Sequence, residues 1–361
     1  MISPTRESEK AISGYSFTLT NSIRNTKQDI IDFTYEAGNA KTLFKKMSEL
    51  KEYDIVHIQH EYNLLGGYGL PFFKLYRYLY RNNIKTITTM HTVLSQNENF
   101  KSGMIKTILR KILYKIQNKL ILKVSDEIIL HANFFKEILI NEYGAKNEKI
   151  TIFPQGIIDK IPEYSKEKLK KELGLKGPVY LFMGSMVPDH GHDIIIKQAK
   201  EIGKTILVVA NPGSVNDRNS NRTRDYLKQN QEYVEKNGLS EIVRFDVSDI
   251  NDRNPLWWKY FIASDLVLLP YRGGIGSGIF AHAMAARIPV IASNIKFFNE
   301  ISKKFNCVKV ASEESEYKDI IKNSMKKQNY SKMKKGCENY IKEFGLSVLG
   351  KKYKELYLSI K

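Results

Sequence analysis

Residues 266–293 have the residue types and spacing of an anion-binding turn. They read LVLLPYRGGIGSGIFAHAMAARIPVIAS, which predicts a strand, a glycine-rich turn, a helix and a second strand. Glycines let the main chain approach a ligand closely, and Ser277 and Gly278 would present free amides at the helix N-terminus, where phosphate binds. A diphosphate is the ligand that this turn predicts, and a tight turn without a ligand is the alternative. The residues concerned are Gly273, Gly274, Gly276, Ser277 and Gly278.

The same glycines do not fit a dinucleotide-binding turn. The run GGIGSG departs from the spacing GxGxxG, and position 279 is isoleucine. About 20 residues after Gly274, where that fingerprint places an acidic ribose ligand, the sequence has Asn294. A nicotinamide-dependent dehydrogenase is therefore disfavoured.

Three predicted strands in the first half of the chain end in histidine. His60 is followed by Glu61, His91 follows ITTM, and His131 follows DEIIL. Ligands of open parallel sheets bind beyond the carboxyl ends of the strands, so these imidazoles are candidates for substrate contacts. A hydrogen-bonded structural role is the alternative for each ring. A metal site at His57 and His60 is excluded, because residues three apart on a strand point to opposite faces.

A second turn has the same order of elements as the glycine-rich one. In YLFMGSMVPDHGHDIII, Gly184 ends a predicted strand and His190 comes just before a predicted helix. A protonated His190 would contact an anion, and a surface histidine without a ligand is the alternative.

These turns belong to a pattern in which short β-branched runs alternate with longer amphipathic segments. The alternation is typical of βαβ units and predicts an α/β fold with two doubly wound parallel sheets. The predicted strands are residues 54–60, 84–91, 126–132, 149–153, 178–183, 204–210, 241–247, 265–270, 288–293 and 307–310.

The predicted domain division rests on length and on one segment bracketed by proline and glycine. At 361 residues the chain exceeds the usual size of one hydrophobic core. Residues 154–178 predict a hinge between a first domain at residues 1–155 and a second at residues 156–344. The last helix, residues 345–361, is expected to pack back on one of them.

The start of the chain is unusual for a doubly wound domain. Only Met1 and Ile2 precede SPTR, so the first strand is expected to be very short or absent. Gly14 is expected to form a turn that leads into a helix.

Composition and charge narrow the class of protein. The 57 basic and 39 acidic residues give a net charge of +18, which attracts phosphates, anionic lipid or nucleic acid. No zinc-finger spacing or RNP-type motif is present, which disfavours nucleic-acid binding. Two cysteines, no apolar leader and no apolar run of roughly 20 residues predict a cytoplasmic protein, free or bound at a membrane surface.

One predicted helix, residues 101–123, combines basic and apolar residues. It contains seven Lys or Arg residues and no acidic residue, and its apolar residues recur at helical spacing. The pattern predicts either a helix that lies on anionic lipid or a core-packing helix with a solvated basic face.

Taken in order, these segments resemble the group 1 family of GT-B glycosyltransferases, the retaining family often called GT4. In the first half the resemblance lies in DIVHIQHEYNLLGG, ITTMHT, SDEIILHANFFKEILINEYG and KITIFPQGI. In the second half it lies in LFMGSMVPDHGHDIIIKQA, ASDLVLLPY and SGIFAHAMAARIPVIAS. The resemblance covers nearly the whole chain. It implies two Rossmann-like domains facing across a cleft, with a nucleoside diphosphate sugar bound by the second domain and a glycan or lipid-linked acceptor bound by the first.

The resemblance also implies roles for single residues. His91 matches the family's cleft histidine, which approaches the sugar, and is the implied catalytic residue. His60 and Glu61 are expected on the acceptor side. No metal or other cofactor is expected, because no DxD-type pair stands at a strand end. The implied donor-binding residues are Gly14, Gly184, Ser185, His190, Tyr271, Arg272, Gly274, Ser277, Gly278 and His282.

Four of these positions depart from the family pattern. Ser185 and His190 replace an arginine and a lysine that neutralise the leaving diphosphate, and Gly274 and His282 replace the two glutamates of the EX7E motif. Deleting one preorganised donor costs roughly 3–4 kcal/mol of transition-state stabilisation. The compensating charges are expected from Arg272, Arg287, or protonated His190 or His282. A noncatalytic subunit that partners an active transferase is the alternative.

Overall fold

The protein forms two compact units, each with one six-stranded parallel sheet. The computed structural model describes residues 1–6, 11–98, 100, 103–211, 220–248, 253–274 and 276–360. Unit 1 comprises Met1–Gly156 with Phe344–Lys361, and unit 2 comprises Ile157–Glu343. The predicted α/β class with two parallel sheets is therefore confirmed.

The elements of the described residues follow each other in a largely alternating order. The strands are β1 Ile2–Pro4, β2 Phe33–Tyr35, β3 Ile55–His60, β4 Lys85–Met90, β5 Glu127–Leu130, β6 Ile150–Ile152, β7 Val179–Ser185, β8 Thr205–Asn211, β9 Val243–Val247, β10 Leu266–Leu269, β11 Val290–Ser293 and β12 Val308–Ala311. The helices are α1 Ala11–Arg24, α2 Lys41–Lys45, α3 Leu70–Arg81, α4 Met104–Val124, α5 Asn133–Tyr143, α6 Lys166–Glu172, α7 His192–Lys197, α8 Ala199–Ile202, α9 Ser220–Lys236, α10 Pro255–Ala263, α11 Gly278–Ala285, α12 Lys296–Lys304, α13 Tyr317–Ser324, α14 Lys327–Phe344 and α15 Leu346–Ile360.

The sheet of unit 1 has the strand order β2-β1-β3-β4-β5-β6. β1 pairs with β2 through Ile2 and Phe33, and with β3 through Ile2 and Ile58. Every residue of β4 after Lys85 is buried, as is all of β5, because β-branched and apolar side chains pack on both faces of a parallel sheet. The central strands thereby fix three neighbouring carboxyl ends, those of β3, β4 and β5.

Helix α1 contains Gly14, so the expected turn at this residue is wrong. Leu19 and Ile23 of the same helix are fully buried, and α1 packs along α15. At Gly350 of α15 the approach is so close that a Cβ would lie 2.7 Å from the Ser22 carbonyl oxygen. Tertiary packing of this kind outweighs the low helix propensity of one glycine.

Helix α15 is part of unit 1. Its Tyr357 hydroxyl lies 2.6 Å from Nδ1 of His57, and the Tyr353 ring stacks on the same imidazole at 5.8 Å between centroids. These contacts anchor the C-terminal helix on the middle of β3.

The sheet of unit 2 has the strand order β12-β11-β10-β7-β8-β9. Strand β7 lies between β10 and β8, so the chain winds outward from β7 in one direction and from β10 in the other. The buried core around these strands includes Tyr180, Phe182, Ile206, Val208 and Leu268. The boundary between β7 and β10 is the topological switch point, where open parallel sheets bind their ligands.

Candidate functional site

In unit 2 the loops after β7 and β10 meet at the switch point. We call residues 184–191 and 270–278 the switch-point loops; Ile275 lies outside the described residues. The Arg272 main-chain N–H donates to the Asp189 carbonyl at 2.8 Å. The rings of His190 and Tyr271 stack with centroids 4.8 Å apart. The two turns that the sequence indicated separately therefore form one cluster.

Gly191 allows the two loops to approach each other. A Cβ at this position would lie 2.0 Å from the Pro270 carbonyl oxygen, and its φ of +69° is one that L residues rarely adopt. Any side chain at residue 191 would separate the loops.

The N-terminus of α11 lies at the edge of this cluster. Ser277 is its N-cap, and its Oγ accepts a hydrogen bond from the Phe280 main-chain N–H at 3.2 Å. The Tyr271 hydroxyl contacts the same Oγ at 3.0 Å and holds the cap in place. Ser277 is buried, whereas Gly276 and Gly278 are exposed. The first turn of the helix thus presents amide groups to solvent beside two exposed glycines.

The main-chain conformation of the exposed Gly274 is unfavourable for a glutamate at this position of the turn. Its φ is +147°, outside the range that L side chains normally adopt. A glutamate here would strain the main chain, so the turn has a different shape from one built to hold an EX7E glutamate. Gly184, at φ +119°, has the same requirement, and the Ile279 side chain comes within 3.7 Å of its Cβ position.

Arg272 forms an internal ion pair, which argues against its expected role as a diphosphate ligand. Its Nη1 and Nη2 atoms each lie 2.8 Å from a carboxylate oxygen of Asp193, and Nη1 also donates to the Pro188 carbonyl at 2.8 Å. Burial raises the pKa of Asp193, but hydrogen bonds from Arg272, Tyr226 and Lys197 outweigh it and hold the pKa well below its ordinary value. The positive charge of Arg272 is thereby neutralised within the protein.

Arg287 and His282 were also expected to replace the missing cations, but neither lies at the N-terminus of α11. Arg287 follows the C-terminus of α11, at the opposite end of the helix from Ser277. His282 packs edge-on against Trp257 and Trp258, with ring centroids 5.2 and 5.4 Å away. Arg287 is exposed at the far end of the helix and His282 packs among aromatic rings, so neither lies at the helix N-terminus where a diphosphate would bind.

His190 is held as a neutral imidazole. Its Nδ1 lies 2.8 Å from the Ser185 carbonyl oxygen, to which it donates. Burial lowers the pKa of His190 below its ordinary value, and the hydrogen bond to Ser185 offsets only part of that effect. Without a ligand these contacts favour the neutral form of His190, and its contact with an anion in the protonated form stays a prediction.

One cation near the switch-point loops was missed by the sequence analysis. Arg222, in the first turn of α9, places Nη2 3.7 Å from an oxygen of Asp189, and its side chain is 52% exposed. The sequence feature that could have indicated Arg222 is the basic run NRTR after strand β8. Residues 212–219, between β8 and α9, lie outside the described part of the chain.

In unit 1 the strand-end histidines His91 and His131 form a partly buried pair. Nδ1 of His91 and Nε2 of His131 are 3.2 Å apart, and Nδ1 of His131 donates to the Phe153 carbonyl at 2.8 Å. On its other side, Nε2 of His91 lies 2.8 Å from the side-chain oxygen Oε1 of Gln59. The Tyr15 ring packs edge-on against both imidazoles at 5.5 Å. Gln59 and Tyr15 were not singled out by the sequence, because they become partners only in the folded sheet.

Counting protons fixes the hydrogen-bond directions in this pair. Burial lowers the pKa of both His91 and His131, so each ring holds a single proton near neutral pH. The single proton of His131 is on Nδ1, which donates to the Phe153 carbonyl, so Nε2 of His131 is an acceptor. His91 must therefore donate from its Nδ1 to Nε2 of His131. Nε2 of His91 is then an acceptor. The structure places Oε1 of Gln59 against it, so a neutral His91 requires the Gln59 amide to be turned over so that its NH₂ group faces Nε2.

His60 is in the core rather than on a ligand-binding surface, so its expected acceptor-side role is wrong. Its ring is fully buried and packs 4.3 Å from the Phe72 ring. No hydrogen-bond partner reaches either ring nitrogen within the described residues. Burial lowers the pKa of His60 to about 3. Glu61, one residue later, is partly exposed, and burial raises its pKa despite hydrogen bonds from Thr92 and Tyr62.

The predicted basic helix is α4, which begins at Met104; Lys101 lies outside the described residues. Several of its apolar side chains are exposed rather than packed in the core. Among the helices that the structure describes, none has the length and apolar character needed to span a membrane.

Two family models match the chain. One, described as Glycosyltransferase Family 4, matches residues 16–160, and the other, described as Glycosyl transferases group 1, matches residues 165–344. Mannosylfructose-phosphate synthase from Agrobacterium fabrum is 25% identical over 190 residues. This match covers 50% of the present chain and only 40% of that relative's length.

Solved structures with the same fold cover almost the entire chain. Sucrose-phosphate synthase from Thermosynechococcus elongatus has a TM-score of 0.72 at 15% identity, covering 99% of this chain and 98% of its own. Anabaena HepE in complex with UDP has a TM-score of 0.68 at 16% identity, covering 94% of this chain and 89% of its own. The likeness shows that the fold is GT-B, and the two family matches together show that the chain belongs to the group 1, GT4-like glycosyltransferases.

Proposed function

We propose that the protein transfers a sugar from a nucleoside diphosphate donor, with retention of anomeric configuration. The observation that carries the proposal is the Ser277-capped, solvent-facing N-terminus of α11 at the switch point of unit 2. Negative charge develops on the leaving diphosphate as the glycosidic bond opens, and the amide dipoles of a helix N-terminus stabilise that charge. Membership of the family supports this reaction class, and the UDP bound to HepE supports uridine nucleotides as the first donors to test.

The residues of the switch-point loops would divide the work of holding the donor. Gly184, Gly274 and Gly278 would let the main chain approach the phosphates, because a side chain at these positions would strain the turn or cover the amides. Tyr271 would keep the Ser277 cap in place. We propose His91 as the catalytic residue that orients the transferred sugar, with Nδ1 fixed by His131.

The acceptor would be a glycan or a lipid-linked sugar, and no metal would be required. Helix-terminus amides can stabilise the leaving group without a Lewis acid. We expect turnover to be unchanged by EDTA. A loss of activity on chelation that is restored by added Mg²⁺ or Mn²⁺ would contradict this part of the proposal.

A mass-spectrometric screen of nucleotide sugars tests the activity. The purified protein should release a free nucleoside diphosphate from one of them, and His91→Ala should abolish or strongly reduce that release. His60→Ala is the matched control for general damage, because His60 is a buried histidine that the structure removes from the site. Release from the His91→Ala variant at the wild-type rate would overturn the assignment of His91.

A noncatalytic nucleotide-binding subunit is the second candidate function. The observation that favours it is the pairing of Arg272 with Asp193, because Arg272 is then not free to replace the two cations that the family uses at positions 185 and 190. This candidate predicts nucleotide binding without release of free diphosphate from any nucleotide sugar. It also predicts a stable complex with a second, active transferase.

A further inference from the structure

Helix α4 presents a continuous apolar face to solvent. Its residues at i, i+4 and i+8 spacing share one side of the helix, and Tyr114, Gln117 and Ile121 on the other side are buried in unit 1. Single exposed apolar side chains are common on proteins, but a row of six on one helix indicates a binding surface. The exposed fractions are 74% for Met104, 75% for Ile105, 49% for Ile108, 61% for Leu109, 52% for Ile112 and 51% for Ile116.

The same helix carries only positive charge. Its six basic residues and lack of acidic residues make the helix strongly cationic over its whole length. Lys115, Lys119 and Lys123 continue the exposed side for two further turns and are themselves exposed. The exposed side is therefore apolar over its first three turns and basic over the remainder.

Exposed side chains of the segment before α4 lie beside this helix. Tyr68 and Tyr80 are 56% and 51% exposed, and Leu70 between them is 57% exposed. The Arg110 guanidinium lies 5.6 Å from the Tyr68 ring centroid, and the Lys123 ammonium lies 4.7 Å from that of Tyr80. Tyrosines with cationic neighbours are typical of side chains at the boundary between lipid headgroups and acyl chains.

The charge decides which partner fits this surface. Two copies of the chain joined through this face would bring two strongly cationic helices together, and their repulsion opposes a dimer. An anionic lipid surface supplies both an apolar layer for the isoleucines and phosphates for the lysines. We propose that α4 lies on the surface of an anionic bilayer, with its first three turns inserted among the headgroups and Lys115, Lys119 and Lys123 on lipid phosphates.

This binding surface does not depend on the proposed transferase activity. Helix α4 and its exposed side chains belong to unit 1, whereas the proposed phosphate-binding helix belongs to unit 2. Vesicle binding can therefore be measured without nucleotide, and its failure is distinguishable from a failure to bind a nucleotide. Together with the proposed transferase activity, this placement would favour acceptors that are themselves anchored in the membrane.

Cosedimentation with vesicles tests the proposal. The protein should pellet with phosphatidylcholine vesicles that contain about 30% phosphatidylglycerol, and should stay in the supernatant with phosphatidylcholine alone. Ile108→Glu with Ile112→Glu should weaken binding by about tenfold or more, since both changes place charge where the face meets acyl chains. Leu358→Glu is the control, because Leu358 is 57% exposed on another helix of unit 1.

A charge-reversal pair separates the local surface from the overall charge. Lys115→Glu with Lys119→Glu and the control Lys45→Glu with Lys46→Glu change the net charge of the protein equally. Only the first pair should abolish binding, and all variants should keep the wild-type melting temperature because the residues are exposed. If both pairs of substitutions weakened vesicle binding equally, binding would depend only on the net charge of the protein, and this would overturn the proposal. So would a dimer that dissociates in the Ile108→Glu, Ile112→Glu variant while vesicle binding is absent.

Discussion

At the residue scale, the hydrogen bonds of His91 define its chemistry more closely than its position at a strand end. His131 accepts from Nδ1 of His91, so Nε2 is the ring atom left to face another group. In the structure the side chain of Gln59 contacts Nε2 of His91 at 2.8 Å. The sequence indicated His91, but its tautomer follows from the hydrogen bond between His131 and Phe153, which exists only after folding.

Replacing Gln59 by glutamate should convert the pair into a cation. A carboxylate at this position accepts from Nε2 of His91, so the ring can hold two protons while His131 keeps its own. The pKa of His91, which burial now lowers, should rise toward or above its ordinary value near 6.5. NMR titration of the imidazole nitrogens measures this, with Gln59→Leu as the neutral control. A His91 that remains neutral at pH 6 in the Gln59→Glu variant would refute the assigned hydrogen-bond directions.

Replacing His60 by phenylalanine should stabilise unit 1. Both ring nitrogens of His60 are buried without hydrogen-bond partners among the described residues, beside the Phe72 ring. Removing two unpaired polar atoms should raise the free energy of unfolding by about 1–2 kcal/mol. Urea unfolding at pH 7 measures the change. Destabilisation instead would indicate that the nitrogens bind buried water.

At the element scale, the link between α7 and the loop after β10 holds the switch-point loops together. Asp193 stands in the first turn of α7 and binds Arg272 of that loop with two hydrogen bonds. These hydrogen bonds tie the loop after β10 to the helix that follows the loop after β7.

Replacing Asp193 by asparagine should loosen this link. The Arg272 guanidinium would lose its closer counter-charge and keep only Glu314, 3.6 Å from Nη2, which should cost about 1–2 kcal/mol. The expected cost is below that of a fully buried pair because the Arg272 side chain is 36% exposed. Thermal unfolding measures the loss, and Asp225→Asn on the neighbouring helix α9 serves as the control. An unchanged melting temperature would show that the ion pair contributes little.

The buried strands could be predicted from the sequence. The roles of single residues could not be predicted where contacts with distant parts of the chain determine them. All ten predicted strands appear with ends within two residues of the prediction, because β-branched runs are long enough to recognise. β2 was missed, since Phe33–Tyr35 is three residues long with an exposed threonine in its middle. Gly14 was assigned to a turn because packing of α1 on α15 is not visible locally. The charge of Arg272 was assigned to a ligand because Asp193 is 79 residues away in the chain.

At the scale of the whole molecule, buried histidines should make stability depend on pH. Burial lowers the pKa of six of the seven histidines: His57, His60, His91, His131, His190 and His192. The unfolded chain takes up protons below about pH 6.5, whereas the folded protein does so only at lower pH. Stability is therefore fully present above that pH and falls as the pH decreases.

Acidification from pH 7 to pH 5 should lower the free energy of unfolding steeply. His60 and His192, whose pKa values are about 3, should each contribute about 2 kcal/mol of the loss at pH 5. Urea unfolding at both pH values measures it, and His60→Phe should reduce the pH dependence. Since four of the six histidines belong to unit 1, that unit should unfold first, which hydrogen exchange can detect. Equal stability at pH 5 and pH 7 would contradict the burial of these rings.

Isothermal calorimetry of UDP binding tests the central claim most directly, which is that the N-terminus of α11 holds a diphosphate. Gly278 has open space around its Cβ position, so Gly278→Ala should leave the fold intact while its methyl group covers the helix amides. Gly103→Ala, before α4, is the matched control, because that glycine also has no neighbour near its Cβ position. We predict that the protein binds UDP, that Gly278→Ala weakens binding by about tenfold or more, and that Gly103→Ala does not change it. Equal affinity in the wild type and both variants, or no binding of UDP or any other nucleoside diphosphate, would contradict the claim.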